Sequence, residues 1–403
     1  MKNRLQDIIK GDRTLWVVLL VLSLASILIV YSATGRLAYR EADGHTAHYL
    51  LRHSFFIALG FGVMLFLVNV VPVKFYSLIA PSLLVVTIIL LVLAFIQYRL
   101  TGKATPRSLD LKFISFQPAE LAKISLVMFG AKMLASRQKS KEELSKAFWW
   151  VIGASTLVCG IISLGNISTA GVIFMGMMGL MFVARVPFKL MGLTVLGGVA
   201  LASTMYFAAP ILPHSFGRIQ TFKQRIDDHL FGDKDAEEGT TQADYAKLAI
   251  FEGGLIGKGP GGSDVSNYME AAYNDFIYAI FVEEYGVGGG IAIVLLYLIF
   301  LFRGVAIVRA STRTFPAFLV TGLVLIYAIQ AFVNMSVSTG LMPVTGQPLP
   351  WISMGGTSLV FTAAGFGLIL SVSYLNKQNK LTEEEQSETA VVVNVPDEDQ
   401  ELK

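Results

Sequence analysis

A few polar side chains stand inside stretches otherwise apolar enough for lipid, where such groups are costly and mark function by default. Phe116-Gln117-Pro118-Ala119-Glu120-Leu121-Ala122-Lys123 places Gln117, Glu120 and Lys123 at i, i+3 and i+6. That spacing puts all three on one face of a helix, and Pro118 suits its first turn. The face reads in two ways: a Glu–Lys pair that satisfies itself and snorkels to the interface, or the wall of a water-filled cavity. A second apolar stretch opens with Tyr273-Asn274-Asp275-Phe276. A carboxylate there is favoured by the helix dipole, so Asp275 reads as a cap or as a functional acid at the mouth of a span. Glu283 and Glu284 follow about 12 Å deeper along the same helix. They cannot both be ionised in lipid, and structural bracing is their expected role. The uncharged segment 340–358 holds Pro343, Pro348 and Pro350 as well as Ser353. It cannot be a regular helix and is expected to line a cavity.

The elements that must position these groups follow from composition. The 403-residue chain has only 15% charged residues, 54% hydrophobic ones and 37 glycines. A soluble chain of this length carries about 25% charge on its surfaces, so a soluble protein is excluded. Spans of roughly 20 apolar residues read as ten transmembrane helices: 15–32, 54–71, 75–98, 118–136, 147–164, 168–184, 189–209, 276–302, 315–337 and 355–375. The fold class is therefore an all-α polytopic membrane protein. Its domains are an N-terminus (1–14), a ten-helix body (15–375) with a large outer loop (210–275) between helices 7 and 8, and a tail (376–403).

Lys2, Arg4, Lys10 and Arg13 argue for a cytoplasmic start, and ten spans return the C-terminus to the same side. The first apolar run is longer than a signal-peptide core and is read as a retained helix. The outer loops still carry bases such as Arg36, Arg40, Arg52, Arg107 and Lys112, for which a phosphate-bearing substrate is one explanation. Residues 381–403 hold eight acids and one lysine, a balance of −7 against +3 for the chain, leaving +10 on residues 1–380. That acidic tail has the composition of a disordered segment. The lone Cys159 cannot form an internal disulfide and reads as a small buried hydrophobe. The loop 210–275 is far longer than ordinary connections, has amphipathic stretches near 215–230 and 241–251, and is expected to lie ordered on the helices.

Four segments in order resemble the SEDS family of bacterial cell-wall polymerases, the FtsW and RodA proteins, over about residues 12–377. Gln117-Pro118-Ala119-Glu120-Leu121-Ala122-Lys123 is similar to the family's Gln-Pro-Ser/Ala-Glu-Leu-x-Lys. Arg107 and the residues to Lys112 stand where the family has Arg-Trp-Ile-x-x-Gly. Gly253-Gly254-Leu255-Ile256-Gly257-Lys258-Gly259 and Tyr273-Asn274-Asp275-Phe276-Ile277 resemble the end of the family's outer loop, and Glu283-Glu284-Tyr285-Gly286 its Glu-Glu-Leu-Gly. Pro348-Leu349-Pro350-Trp351-Ile352-Ser353-Met354-Gly355-Gly356-Thr357-Ser358 resembles Pro-Leu-Pro-Phe-Ile-Ser-Tyr-Gly-Gly-Ser-Ser. The departures are Asn166 for a carboxylate, Ala271 and Tyr273 before the aspartate, Ser108 for tryptophan and Ser338 beside Asn334.

The resemblance implies a peptidoglycan glycosyltransferase that polymerises lipid II at the outer face of the bacterial cytoplasmic (inner) membrane. It implies Asp275 as the catalytic base, with Glu120, Lys123, Gln117 and Arg107 around the substrate, and Arg218 and Gln242 as outer-loop contacts. Glu283, Glu284, Asn334 and Ser353 would support the cavity. No covalent cofactor is implied; a divalent cation, Mg or Mn, is an option for the leaving pyrophosphate, and its ligands are unknown. The implied partners are a class B penicillin-binding transpeptidase and other division proteins, with no nucleic acid. Span nine or the start of span ten is the expected docking face. Gly11-Asp12-Arg13 and the segment 31–38 look more like FtsW than RodA. A lipid II flippase, an elongation-type polymerase and a non-catalytic scaffold are the rival readings.

Overall fold

The computed structural model describes residues 9–35, 37, 46–101, 108–110, 115–211, 217–232, 241–269 and 272–393. Among them are twelve α-helices: α1 (Arg13–Ala33), α2 (Thr46–Val70), α3 (Val73–Thr101), α4 (Pro118–Ala135), α5 (Lys141–Ser163), α6 (Ile167–Val183), α7 (Phe188–Ala208), α8 (Gly217–Phe231), α9 (Gln242–Gly253), α10 (Ile277–Arg309), α11 (Thr314–Ser338) and α12 (Thr357–Val393). The only strands among the described residues are β1 (Leu109–Asp110) and β2 (Ser115–Phe116), an antiparallel pair with Leu109 opposite Phe116. Each of the ten apolar stretches falls on a helix. Eight of these helices are long and apolar enough to cross a membrane. α6 is shorter, and α4 carries Glu120, Lys123 and Lys132 within its 18 residues. The chain is thus a multi-pass helical membrane protein.

α11 is the most buried of the long apolar helices and packs against α4, α6, α10 and α12. Around it α2 lies on α12, α3 on α4, and α1 on α10. Small residues permit the close crossings: a Cβ at Gly304 would meet Val324, and one at Gly322 would meet Val127. The burial of α11 leaves little of span nine, Phe332 among its exposed residues, to serve as the docking face expected there or at the start of span ten. α7 behaves oppositely and buries none of its residues.

Helix ends follow local chemistry. The Asp12 carboxylate accepts from the Leu15 N–H at 2.9 Å, starting α1, and also accepts from Arg303 Nε at 3.1 Å. Asn166, in the tight turn between α5 and α6, accepts from the Thr169 N–H at 3.1 Å. Thr241 starts α9, its hydroxyl accepting from the Asp244 N–H at 3.3 Å. Hydrogen bonding to Thr241 lowers the pKa of Asp244, with Lys247 adding to the effect against partial burial.

Two elements differ from the sequence reading. α12 does not end at residue 375 but continues to Val393, so the segment expected to be disordered is helical over 381–393. Glutamate-rich sequence propagates a helix well, and Lys380 pairs with Glu384 at i, i+4. α10 is not one continuous span. It breaks at Gly286, whose φ of 70° and ψ of −177° lie outside the helical region. The break frees backbone groups that the glycine-rich segment satisfies. The Lys258 and Gly259 N–H groups donate to the carbonyls of Glu283 and Glu284 at 2.9 Å, and the Val287 N–H donates to Gly254 at 2.9 Å. A Cβ at Gly253 or Gly257 would sit far inside van der Waals contact with the carbonyls of Val282 or Glu284. Only glycine admits this approach.

Candidate active site

Asp275 lies just before α10, but the N-cap residue is Phe276, and no side chain caps the helix. The cap reading of Asp275 therefore does not hold. Three successive carbonyls fix the segment instead. The Met354 N–H donates to Tyr273 O at 3.0 Å, Ser353 Oγ to Asn274 O at 2.6 Å, and Asn334 Nδ2 to Asp275 O at 2.9 Å. Asn334 Nδ2 also donates to Gln347 O at 2.7 Å, and Gln347 Nε2 donates to Thr169 Oγ1 at 2.7 Å. Ser353 Oγ accepts from the Leu349 N–H at 2.7 Å. Trp351, fully buried with φ of 70°, donates its indole N–H to Ser23 Oγ at 2.7 Å and ties the proline-rich segment to α1. The uncharged segment 340–356 thus acts as a clamp on the backbone around Asp275.

Two cavities flank this clamp and share Gly346. One, of about 220 Å³, is lined by Asp275, Asn166, Arg218, Arg225 and Thr345. Gly346 has φ of 64°, and a Cβ there would come within 3.3 Å of the Asp275 carboxylate. The second, of about 190 Å³, is lined by Glu120, Gln117, Arg52, Tyr273, Asn274 and the Gly355–Ser358 turn. Each cavity holds one carboxylate together with at least one arginine. A carboxylate beside a cationic side chain is able to accept a proton from a hydroxyl while the cation holds an anionic group.

Lys123 does not line either cavity. It is 2% exposed, with Nζ 2.7 Å from Glu120 Oε1 and donating to Gln330 Oε1 at 2.7 Å. Gln330 Nε2 passes the chain on to Pro348 O at 2.8 Å. Glu120 therefore faces the cavity while Lys123 holds it from behind, so the polar face of α4 is both an ion pair and a cavity wall. Glu283 is wholly buried and accepts from Ser263 Oγ at 2.5 Å, from the Asp264 N–H at 3.1 Å and from Lys258 Nζ at 2.8 Å. Burial opposes the Lys258 charge, but its contacts with Glu252, Glu283 and Asp264 hold its pKa above the ordinary lysine value. Glu284 accepts from the Ser32 hydroxyl of α1. Both glutamates brace α10, and neither lines the Asp275 cavity.

Arg218 joins Asp275, whereas Gln242 sits at the start of α9 and lines neither cavity. Arg107 lies outside the described residues, as does Ala271. Sequence reasoning passed over Arg225, although its i+7 spacing from Arg218 on an amphipathic stretch is a legible signal for one helix face. Arg52 was visible only as an outer base. Gln330, Thr169 and Gln347 gave no signal, being single amides and a hydroxyl in apolar or uncharged surroundings. Asn166, a departure from the family pattern, lines the Asp275 cavity, and Ser338 donates to Asn334 O at 3.0 Å.

Comparison with known proteins gives this geometry its context. Peptidoglycan glycosyltransferase MrdB of Escherichia coli K12 is 29% identical over 92% of this chain and 95% of its own length. The probable peptidoglycan glycosyltransferase FtsW of Alcanivorax borkumensis is 31% identical over 90% and 94%. Among solved structures, a chain of a peptidoglycan synthase complex superposes with a TM-score of 0.70 at 24% identity, covering 91% of this chain and 99% of that one. Thermus thermophilus RodA superposes at 0.64 with 23% identity, covering 90% and 96%. The profile described as cell cycle protein, for FtsW, RodA and SpoVE, matches residues 12–378. The chain belongs to the FtsW/RodA/SpoVE cell cycle protein family.

Proposed function

We propose that the protein is a peptidoglycan glycosyltransferase that polymerises lipid II, with Asp275 as its base. The observation that carries this reading is the shared cavity of Asp275, Arg218 and Arg225. An acceptor sugar hydroxyl attacks the anomeric carbon of the donor, and its proton passes to the Asp275 carboxylate. The bond from that carbon to the undecaprenyl pyrophosphate breaks with inversion. Pyrophosphate leaves without needing a proton, so cations rather than an acid assist it. Arg218 and Arg225 supply them, each able to grip a phosphate bidentately. Glu120, oriented by Lys123 and Gln330, orders a substrate hydroxyl or amide in the second cavity. Magnesium ions are usually held by one or two carboxylates plus substrate phosphates. Asp275 would hold such an ion, which would supply further neutralisation of the leaving group; no cluster of three metal-binding side chains occurs among the described residues.

The protein in this reading works with a class B transpeptidase, at the outer face of the cytoplasmic membrane and with both termini inside. Residues 11–13 and 31–38 favour septal over lateral wall synthesis. Depletion that yields filaments supports the septal role, whereas rounding of cells supports elongation. The decisive experiment supplies labelled lipid II to the purified protein with its partner, alongside Asp275→Ala. Glycan chains from the wild type alone are expected. Lipid scrambling without chains would instead establish a flippase, and neither activity a scaffold.

A further inference from the structure

At the end of the bundle away from Asp275 lies a cavity of about 1150 Å³ between the end of α2, the starts of α3 and α11, the end of α4 and the middle of α12. Lys74, Lys132 and Arg313 line it from three different helices or their caps, and no carboxylate does. None of the three forms an ion pair among the described residues. Lys10 adds a fourth cation, 5.0 Å over the ring of Tyr374, which also lines the cavity. Two helix N-termini open there, and that of α11 has no side-chain cap. Their dipoles add to the positive potential. The rest of the wall mixes apolar residues, Val68, Val71, Phe315 and Leu375 among them, with uncharged polar ones such as Asn69 and Gln378.

Depth decides what such a chamber suits. α11 runs from Thr314 at this cavity to Asn334 at Asp275, about 30 Å at the helical rise, which is the thickness of the hydrocarbon core. The cavity therefore sits at the opposite membrane interface. Loop lysines that merely obey the orientation rule have no reason to converge on one chamber, and Lys132 belongs to the last turn of a span. We propose that this cavity binds the headgroup of an anionic glycerophospholipid drawn from the leaflet opposite the Asp275 site. Cations meet the phosphate while the apolar walls take the first carbons of the acyl chains. A free phosphate ester shares the charge but not the chains.

Native mass spectrometry of the full-length protein, with phosphatidylglycerol or phosphatidylcholine added, tests this. Phosphatidylglycerol is expected to be retained preferentially. Losing each cation weakens that preference roughly five-fold, so Lys74→Gln/Lys132→Gln/Arg313→Gln loses on the order of 100-fold. A control of equal charge loss, Lys139→Gln/Lys141→Gln/Lys146→Gln at exposed positions before and in the first turns of α5, keeps the preference. Equal retention of the two lipids, equal loss in the control, or displacement by soluble glycerol phosphate at the lipid's own concentration would overturn the proposal. Should the triple variant not fold, photoreactive phosphatidylglycerol on the wild type decides. Cross-links to residues 68–74 and 312–316 support the site, and their absence sinks it.

Discussion

At the scale of single residues, Asp275 combines a place in the cavity wall with a rigidly held backbone. Asp275→Asn preserves the shape of the side chain and the hydrogen bond at the Asp275 carbonyl, so the protein should fold while polymerisation falls at least 10²-fold. Thermal melting beside a glycan-chain assay separates the two effects. Gly346→Ala tests the clamp from the other side. At φ of 64°, alanine strains the backbone by about 1–2 kcal/mol and brings a methyl within contact of the carboxylate. Activity should drop more than this modest stability loss accounts for. Asn334→Ala leaves the carbonyls of Asp275 and Gln347 without their donor. Each lost partner costs about 1–3 kcal/mol where no water replaces it. Its activity should fall with a largely unchanged affinity for lipid II, since Asn334 lines neither cavity.

Among the elements, the interrupted α10 and its glycine-rich strap carry the most information. The break at Gly286 exposes carbonyls, the strap fills them, and Lys258 neutralises Glu283 across the junction. Lys258→Met would leave a wholly buried carboxylate short of its cation, a change that costs about 3 kcal/mol or more in such pairs. The melting temperature should fall accordingly, and Glu283→Gln should recover part of the loss in the double variant. If the single and double variants melt alike, the pair is not what braces the helix. The capping of α9 gives a pH dependence of defined sign. Asp244 has a lowered pKa in the folded state. Its contribution is present above the unfolded carboxylate pKa and is lost as acid protonates the folded group. Asp244→Asn should therefore lower stability at neutral pH by that contribution and converge with the wild type in strong acid, which flattens the acid limb of the stability profile.

For the whole molecule, function is divided between the two ends of the bundle. α12 begins at the Glu120 cavity and reaches Lys380 some 35 Å away at the helical rise. A chain truncated after Lys380 should polymerise lipid II within roughly two-fold of the full chain in a purified assay, because no contact of the site lies beyond it. A larger loss would show that the acidic extension reaches the catalytic end. α11 links the ends through the core, with Asn334 at one and Thr314 at the other.

Much of this was legible in the residues alone. Apolar length and the cost of charge in lipid determine ten helical stretches, and i, i+3, i+6 spacing determines the shared face of Gln117, Glu120 and Lys123. Uncharged proline-rich sequence likewise announces a non-helical cavity lining. What spacing along one helix cannot report is contact between helices. Only the tertiary structure decided that Lys123 turns inward to Gln330, that Arg225 and Asn166 join Asp275, and that Gln242 stays apart. It also decided that the glycine cluster serves a break in α10, because the unsatisfied carbonyls of Glu283 and Glu284 arise from a neighbour 25 residues along the chain. Helix propensity likewise outran composition in the acidic tail. Local sequence dictates which groups are expensive to bury; the packing of distant segments dictates which partners satisfy them.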